Sequence, residues 1–455
     1  MSQSGFSGGL AAGLAVDVQL PSPTSRRLGK QARHEELELK LAALRKDYAD
    51  LHAGLFEAAQ VYRRLCAPRL IRYGDFEIAS EVFAARHLPG DFFTLAETGN
   101  GVTLALGDIS GKGLAAGMWI TLLLGLVGTH TAASEEPQVI VTGVNRDLSR
   151  MSLGVPLSSL FLARLDSVTG MLHYCSAGHP PALLLRADGK LESLSEGGPL
   201  LGVVGILEER GRSNYLAMVK SLLDLVDIRP NEVVLEVGGG SGVVIREIAR
   251  RTAGANQIID VDISPYLLRE AEALTKQAGL ANRISFQEGH AEAIPLADDS
   301  VDVALSFTVM EEGDADRMLS ELVRVTRPGG RIAAIVRSLD MPPWTNAAFS
   351  PAVRAKVDIP GRGDVAPGGC ADASLYERFR RAGLVGLTCF SQLASVDASQ
   401  ASRIAVMKQR ILASLTEEES AEWKAAVAQA EADGTFFIST PHHCAVGIKP
   451  PVTVA

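Results

Sequence analysis

Leu37, Leu41, Leu44, Tyr48, Leu51, Leu55, Ala58, Tyr62 and Leu65 alternate steps of four and three residues. That spacing is the a/d seam of a coiled coil and predicts one long helix over 34–67, closed by Pro68. So narrow a seam suits a homodimer through 37–65; the alternative is a lone amphipathic helix packed on the next domain. From 76 to 204 the pattern changes to short β runs joined by glycine-rich turns, for example 102–106, 160–165 and 182–185. Helical stretches near 113–129 and 136–149 interrupt them, which predicts an α+β layered module over 70–204. Beyond 205 the chain alternates again. Helix 214–226, strand 233–237, helix 242–251 and strand 258–262 precede helix 265–278 and strands 285–288 and 301–306; helix 315–325 and strand 331–337 complete the series. Such βα units predict an α/β, doubly wound and mostly parallel sheet over 213–450. Helix 375–382, strand 386–390, a charged helix 417–432 and a last strand 436–447 bring the sheet to seven strands.

Composition narrows the setting. A chain of 455 residues exceeds one ordinary core, and residues 1–33, rich in Gly, Ser, Pro and Ala, are expected to be disordered. A net charge of −9 argues against a nucleic-acid or anionic-membrane binder. The apolar run 118–127 is too short to span a bilayer, and no export signal is read at the start. Five scattered cysteines without a C-x-x-C pair suit a reducing cytoplasm. Cys370 and Cys444 suggest a thiolate site for a soft acceptor only weakly, since no cysteine cluster supports it.

The chemistry concentrates after strand 233–237. Glu236 stands near its end, and Gly238-Gly239-Gly240-Ser241-Gly242 then opens into a helix. Glycines are needed where φ is positive or backbone must approach a ligand, and a helix start offers free N–H groups to a carboxylate. Asp262 closes the next strand, where a carboxylate can accept both hydroxyls of a ribose. A dinucleotide fingerprint would want glycine at Val243; the spacing here is E-x-G-x-G-x-G.

V-L-E-V-G-G-G-S-G, V-D-I-S-P, E-G-H-A-E-A-I-P-L and R-V-T-R-P-G-G-R, in this order, resemble the class I S-adenosylmethionine-dependent methyltransferases of the small-molecule branch. The resemblance implies that Glu236, Gly238, Gly240 and Gly242 hold the methionine part and Asp262 the ribose. Ile263 would pack on adenine, His290 and Ala291 would edge it, and Phe307 would follow the fourth strand beside the cofactor. Two positions depart from the family: His290 replaces a common Asp, and Asp260 stands where a small residue is usual. Methyl transfer needs mainly a positioned small-molecule acceptor, with a base only for a protonated nucleophile. Glu311, Glu312, Asp314, Trp344, His442 and His443 lie where such a pocket would form, though the acids also suit helix capping and the histidines a solvated turn.

In the first half, L-P-G-D-F-F around Asp91, L-G-D-I-S-G-K-G around Asp108 and S-A-G-H-P-P around His179 resemble the PPM metal-dependent serine/threonine phosphatases of the SpoIIE type. The resemblance makes Asp91 and Asp108 ligands for Mg²⁺ or Mn²⁺ and a phosphoprotein the partner. The family carries a second acid where Thr94 stands, and its last strand and acidic ligand are missing, because the chain passes at 202–206 into the next domain. A degenerate module for dimerisation or partner binding is therefore expected. The alternatives are a signalling phosphatase and a scaffold that senses the cofactor without catalysis.

Overall fold

The computed structural model describes residues 23–66, 69–83, 88–99, 101–111, 113–151, 156–211, 213–361, 363, 365–396 and 400–451. Residues up to Arg64 form one unit and those from Leu65 a second. In the first, α1 (Pro23–Leu65) is a single helix. It starts earlier than the seam predicts: residues 23–33 are helical, not disordered, and residues 1–22 lie outside the described residues. Leu37, Leu41, Leu44, Tyr48 and Leu51 are all exposed on it.

The second unit opens with a hairpin of β1 (Arg69–Tyr73) and β2 (Phe76–Ser80). A five-stranded sheet comes next. Its order is β3 (Asp91–Thr98), β4 (Gly101–Ile109), β5 (Ser158–Asp166), β6 (Leu172–Ala177), β9 (Gly197–Gly198). β7 (Ala182–Leu185) and β8 (Leu191–Leu194) make a separate hairpin. Between β4 and β5 run α2 (Leu114–Ala133) and α3 (Pro137–Arg150). By length and composition α2 could cross a membrane, so the apolar stretch is longer than the 118–127 run suggests. Here Ala116, Ile120, Leu123, Val127 and Thr131, at helical spacing, are buried within the module. Among the described residues β3 pairs only with β4 and stands at the sheet edge.

The linker is itself structured. α4 (Val203–Arg210) leaves Gly202, which has a φ of 82°, and leads to α5 (Asn214–Val226). The remaining strands are β10 (Val233–Val237), β11 (Gln257–Asp262), β12 (Ile284–Glu288), β13 (Val301–Phe307), β14 (Thr326–Arg337), β15 (Trp344–Thr345), β16 (Val385–Val396) and β17 (Ile438–Ile448). They pair in the order β12-β11-β10-β13-β14-β17, with β16 beyond β17 and two-residue β15 also against β17. The first five are parallel; β17 runs antiparallel between β14 and β16. Seven full strands and the doubly wound arrangement agree with the sequence reading.

Helices cover both faces: α5 and α6 (Val243–Arg251) on one, α8 (Ala315–Val325) and α10 (Ser374–Arg381) on the other, each over its own hydrophobic cluster. α7 (Pro265–Gln277) connects β11 to β12. Strands so covered are apolar along their whole length, as in Val233–Val237. α9 (Pro351–Val357), α11 (Ala401–Leu412) and α12 (Glu417–Ala432) gather around Trp423, Phe436 and Ile438 into a third cluster beside the carboxyl ends of the strands. α9 is too short to carry a strong periodic signal in the sequence, whereas α11 spaces Ile404, Met407 and Ile411 at helical intervals.

Candidate functional site

The glycine loop joins β10 to α6 at the carboxyl edge of the sheet. Gly238, Gly240 and Gly242 have φ of 77°, 60° and 77°, a backbone region that side chains disfavour. The Gly238 amide donates to Val261 O at 2.7 Å, which pins the loop to β11. Asp262 fixes it further: one carboxylate oxygen accepts from the Gly240 amide at 3.0 Å and the other from the Ser264 amide at 2.8 Å. Each oxygen keeps a second lone pair for an outside donor. Ser264 also caps α7.

Three carboxylates share one sheet face here. Glu236 pairs in register with Asp260, and Asp262 lies two residues on. Glu236 is buried with one carboxylate oxygen unpartnered; burial, then Asp260 and Asp262, push its pKa well above the usual carboxylate range, opposed by Arg246. Asp260 is 0% exposed and neither oxygen has a hydrogen-bond partner. Burial and the Asp262 charge raise it to about 8; the nearby Gly239 amide opposes the shift without a good hydrogen bond. A Cβ on Gly239 would come within 2.3 Å of the Asp260 carboxylate, so the glycine is required by that packing.

α4 reaches over this loop. Glu208 forms a bidentate 2.7 Å pair with buried Arg246, whose other nitrogen donates to Ser241 O in the loop at 2.7 Å. Leu207 lies beside Gly240. Nothing in the glycine motif announces this contribution, because the helix is eight residues long and distant from the loop in sequence.

Ile263 is 60% exposed at the end of β11, a free apolar face next to Asp262. His290 is exposed and Ala291 half-buried on the turn after β12. Phe307 is the last residue of β13, buried in the cluster with Tyr215 and Ile245. Thr308 comes after the strand, with φ of 57°, and accepts from Arg210 at 3.3 Å.

The acceptor-side candidates separate. Glu311 is buried; one oxygen accepts from the Arg337 amide at 2.7 Å and the other is unpartnered, while burial raises its pKa. Glu312 is exposed, 3.7 Å from Arg337. Asp314 caps α8 through the Asp316 and Arg317 amides, the capping role its position allowed. His442 and His443 are buried on opposite faces of β17, not at a solvated turn. His443 is locked between Asp340, at 2.8 Å, and Tyr376 and Ser391, at 2.7 and 3.1 Å. His442 lies edge-on to Tyr215, and burial, then Arg403, Arg210 and Arg337, lower its pKa to about 4 despite a bond to Thr440 O. Trp344 packs on Phe437, partly exposed. Cys370 and Cys444 are both buried and belong to clusters on opposite faces of the sheet.

In the first module Asp91 and Asp108 are direct partners across β3 and β4, both exposed. Burial and Asp91 raise the Asp108 pKa. His179 bonds Ser159 at 2.8 Å, and Ser159 accepts from the Asp108 amide at 3.2 Å. Among the described residues no three metal-ligating side chains converge.

Residues 98–215 match the family described as Stage II sporulation protein E, and residues 234–330 the family described as Methyltransferase domain. A ubiquinone/menaquinone biosynthesis C-methyltransferase of Hahella chejuensis is 29% identical over 128 residues, 28% of this chain and 51% of that protein. An uncharacterized protein of Mycobacterium tuberculosis is 38% identical over 115 residues, 25% of this chain and 40% of that protein. The chain thus spans about half the length of the curated relatives it matches. The YcgJ protein of Bacillus subtilis aligns in structure with 18% identity over 52% of this chain and 98% of that one, at a TM-score of 0.35.

Proposed function

We propose, for a chain in which a SpoIIE-type domain precedes a class I methyltransferase domain, that the second domain transfers a methyl group from S-adenosylmethionine to a small molecule. The observation that carries this is the glycine loop closed on Asp262, with the buried, unpartnered Glu236 oxygen beneath it. An orphaned buried acceptor at that point suits an ammonium donor such as the methionine end of the cofactor. Asp262 would take the ribose hydroxyls with its remaining lone pairs, Ile263 would cover adenine, and His290 and Ala291 would edge it. Phe307 would support the cleft from behind.

Bound there, the sulfonium supplies an already activated methyl group. The chain's part is to orient the acceptor and exclude water. His442, buried and with its pKa lowered, would accept a proton; Glu311 accepts from the Arg337 amide at the end of β14, and exposed Glu312 lies 3.7 Å from the same arginine. Titration calorimetry with S-adenosylmethionine tests the reading, followed by a metabolite screen for transfer of labelled methyl. Absence of cofactor binding to the full chain would sink it.

The SpoIIE-type module would act as a regulatory or partner-binding element without phosphatase turnover, because Asp91 stands on the edge strand and, among the described residues, no third metal-ligating side chain joins it and Asp108. The apolar seam of α1, exposed from Leu37 to Leu51, supports a homodimer through residues 37–65. Charging it with Leu44→Glu and Leu51→Glu should leave a monomer by light scattering; a wild-type monomer at high concentration would refute the dimer.

A further inference from the structure

One buried side chain of the first module touches both elements that flank the glycine loop of the second. Asn145, on α3, is 6% exposed. Its amide nitrogen donates to the Tyr266 hydroxyl, and its amide oxygen accepts from the Gly202 amide at 2.9 Å. Gly202 caps α4, and Tyr266 stands in the first turn of α7. From Gly202, α4 brings Leu207 against Gly240 and Glu208 onto Arg246, which in turn donates to Ser241 O at 2.7 Å. From Tyr266, α7 leads back to its cap, Ser264, whose amide donates to Asp262 at 2.8 Å; the other Asp262 oxygen accepts from the Gly240 amide. Both paths end on neighbouring loop residues, Gly240 and Ser241. A second contact backs the first: a Cβ at Gly198 would stand 3.4 Å from the Tyr266 ring, so β9 lies against the same tyrosine. The match to the sporulation family runs to residue 215 and includes α4, although by contact that helix serves the other domain.

We propose that Asn145 is a positioning residue for S-adenosylmethionine binding: through α4 and α7 the SpoIIE-type module holds the glycine loop in its binding geometry. The inference rests on the methyltransferase reading and gives the first module a part in that same site. A buried amide with both ends engaged cannot be displaced without orphaning its partners, so α3, α4 and α7 shift together or not at all. The loop holds three glycines at positive φ, a conformation open to many alternatives unless its surroundings fix it. When only a fraction of molecules hold the competent loop, apparent affinity falls by that fraction. Linkage makes the effect reciprocal, so bound cofactor should tighten the docking of the first module. This role needs neither metal nor phosphoryl chemistry in that module.

The test titrates S-adenosylmethionine into the full chain by calorimetry. Asn145→Ala should weaken binding on the order of 10-fold, and Glu208→Ala by a similar factor. Because the two act along a shared path, the double variant should lose about 20-fold, not the roughly 100-fold of independent sites. Tyr266→Phe, which deletes one hydroxyl, should cost about threefold. Ile140→Val, also buried on α3, should lower the melting temperature yet keep affinity within about twofold of wild type. Wild-type affinity in Asn145→Ala overturns the proposal. So does full multiplication of the two losses, or an Ile140→Val protein that loses as much affinity as Asn145→Ala, since binding would then track general stability. Should Asn145→Ala fail to melt cooperatively, Tyr266→Phe carries the comparison, and wild-type affinity there overturns the proposal equally. If wild type binds no S-adenosylmethionine, the methyltransferase reading fails, and hydrogen exchange at Gly240 and Ser241 decides the coupling alone. Exchange on the order of 10-fold faster in Asn145→Ala upholds it, and unchanged exchange overturns it.

Discussion

The two domains place acidic residues at strand ends in different ways. Asp262 lies on an interior strand, sheltered by helices, and both its oxygens are held by backbone amides of its own and the neighbouring loop. Asp91, on the edge strand β3, faces Asp108 on β4; both are exposed, without a third ligand among the described residues. A carboxylate positioned by amides within a covered sheet is pre-organised; one at a bare edge must be positioned by its ligand. The difference teaches that a carboxylate is held in place by the strands and amides around it: β11, which carries Asp262, has a neighbour strand on each side, whereas β3, which carries Asp91, has one on a single side among the described residues.

The comparison breaks most directly at Asp262. Asp262→Ala should weaken S-adenosylmethionine binding by about 100-fold or more in calorimetry, since loop anchor and hydroxyl acceptor are lost together. Undiminished affinity would remove the distinction between the two domains. Next comes Asp260. Its folded pKa of about 8 lies above the ordinary aspartate value of 3.8, so its contribution to stability is fully present below about pH 4 and is lost as pH rises towards 8. Glu236 shifts in the same direction. Asp260→Asn should therefore raise stability near pH 8 by about 1–3 kcal/mol in urea unfolding, with little change near pH 4. A flat difference across that window would show the carboxylate ionised throughout.

A smaller effect is expected where the domains meet. Buried Asn145 on α3 donates to the Tyr266 hydroxyl on α7 and accepts from the Gly202 amide at 2.9 Å, just before α4. Asn145→Ala should cost about 1–2 kcal/mol and loosen α4, and with it the Glu208–Arg246 pair over the loop, by orphaning buried groups. Hydrogen exchange at the loop amides would report it; unchanged protection would separate the domains energetically. The smallest change belongs to Asp108→Asn, an exposed position, expected to shift stability by less than about 0.5 kcal/mol and to leave methyl transfer intact. Mn²⁺-dependent phosphatase turnover that disappears in this variant would restore the first domain to an active enzyme.

The glycine spacing, Glu236 and Asp262 are legible in the sequence because local backbone demands fix residue types: positive φ requires glycine, and an apolar run ending in an acid marks a covered strand meeting a ligand. The seven strands are legible from alternating βα units for the same reason. Long-range packing hides the rest. Arg210, Arg246 and Tyr215 carry no spacing in common, yet α4, α5 and α6 bring them to one edge. His442 and His443 are equivalent in sequence; pleating alone sends one towards Tyr215 and the other into the Asp340–Tyr376 network. The sequence by itself determined the cofactor loop, since that chemistry is local. Only the tertiary structure decided which charges share a desolvated space, because that depends on elements far apart in the chain.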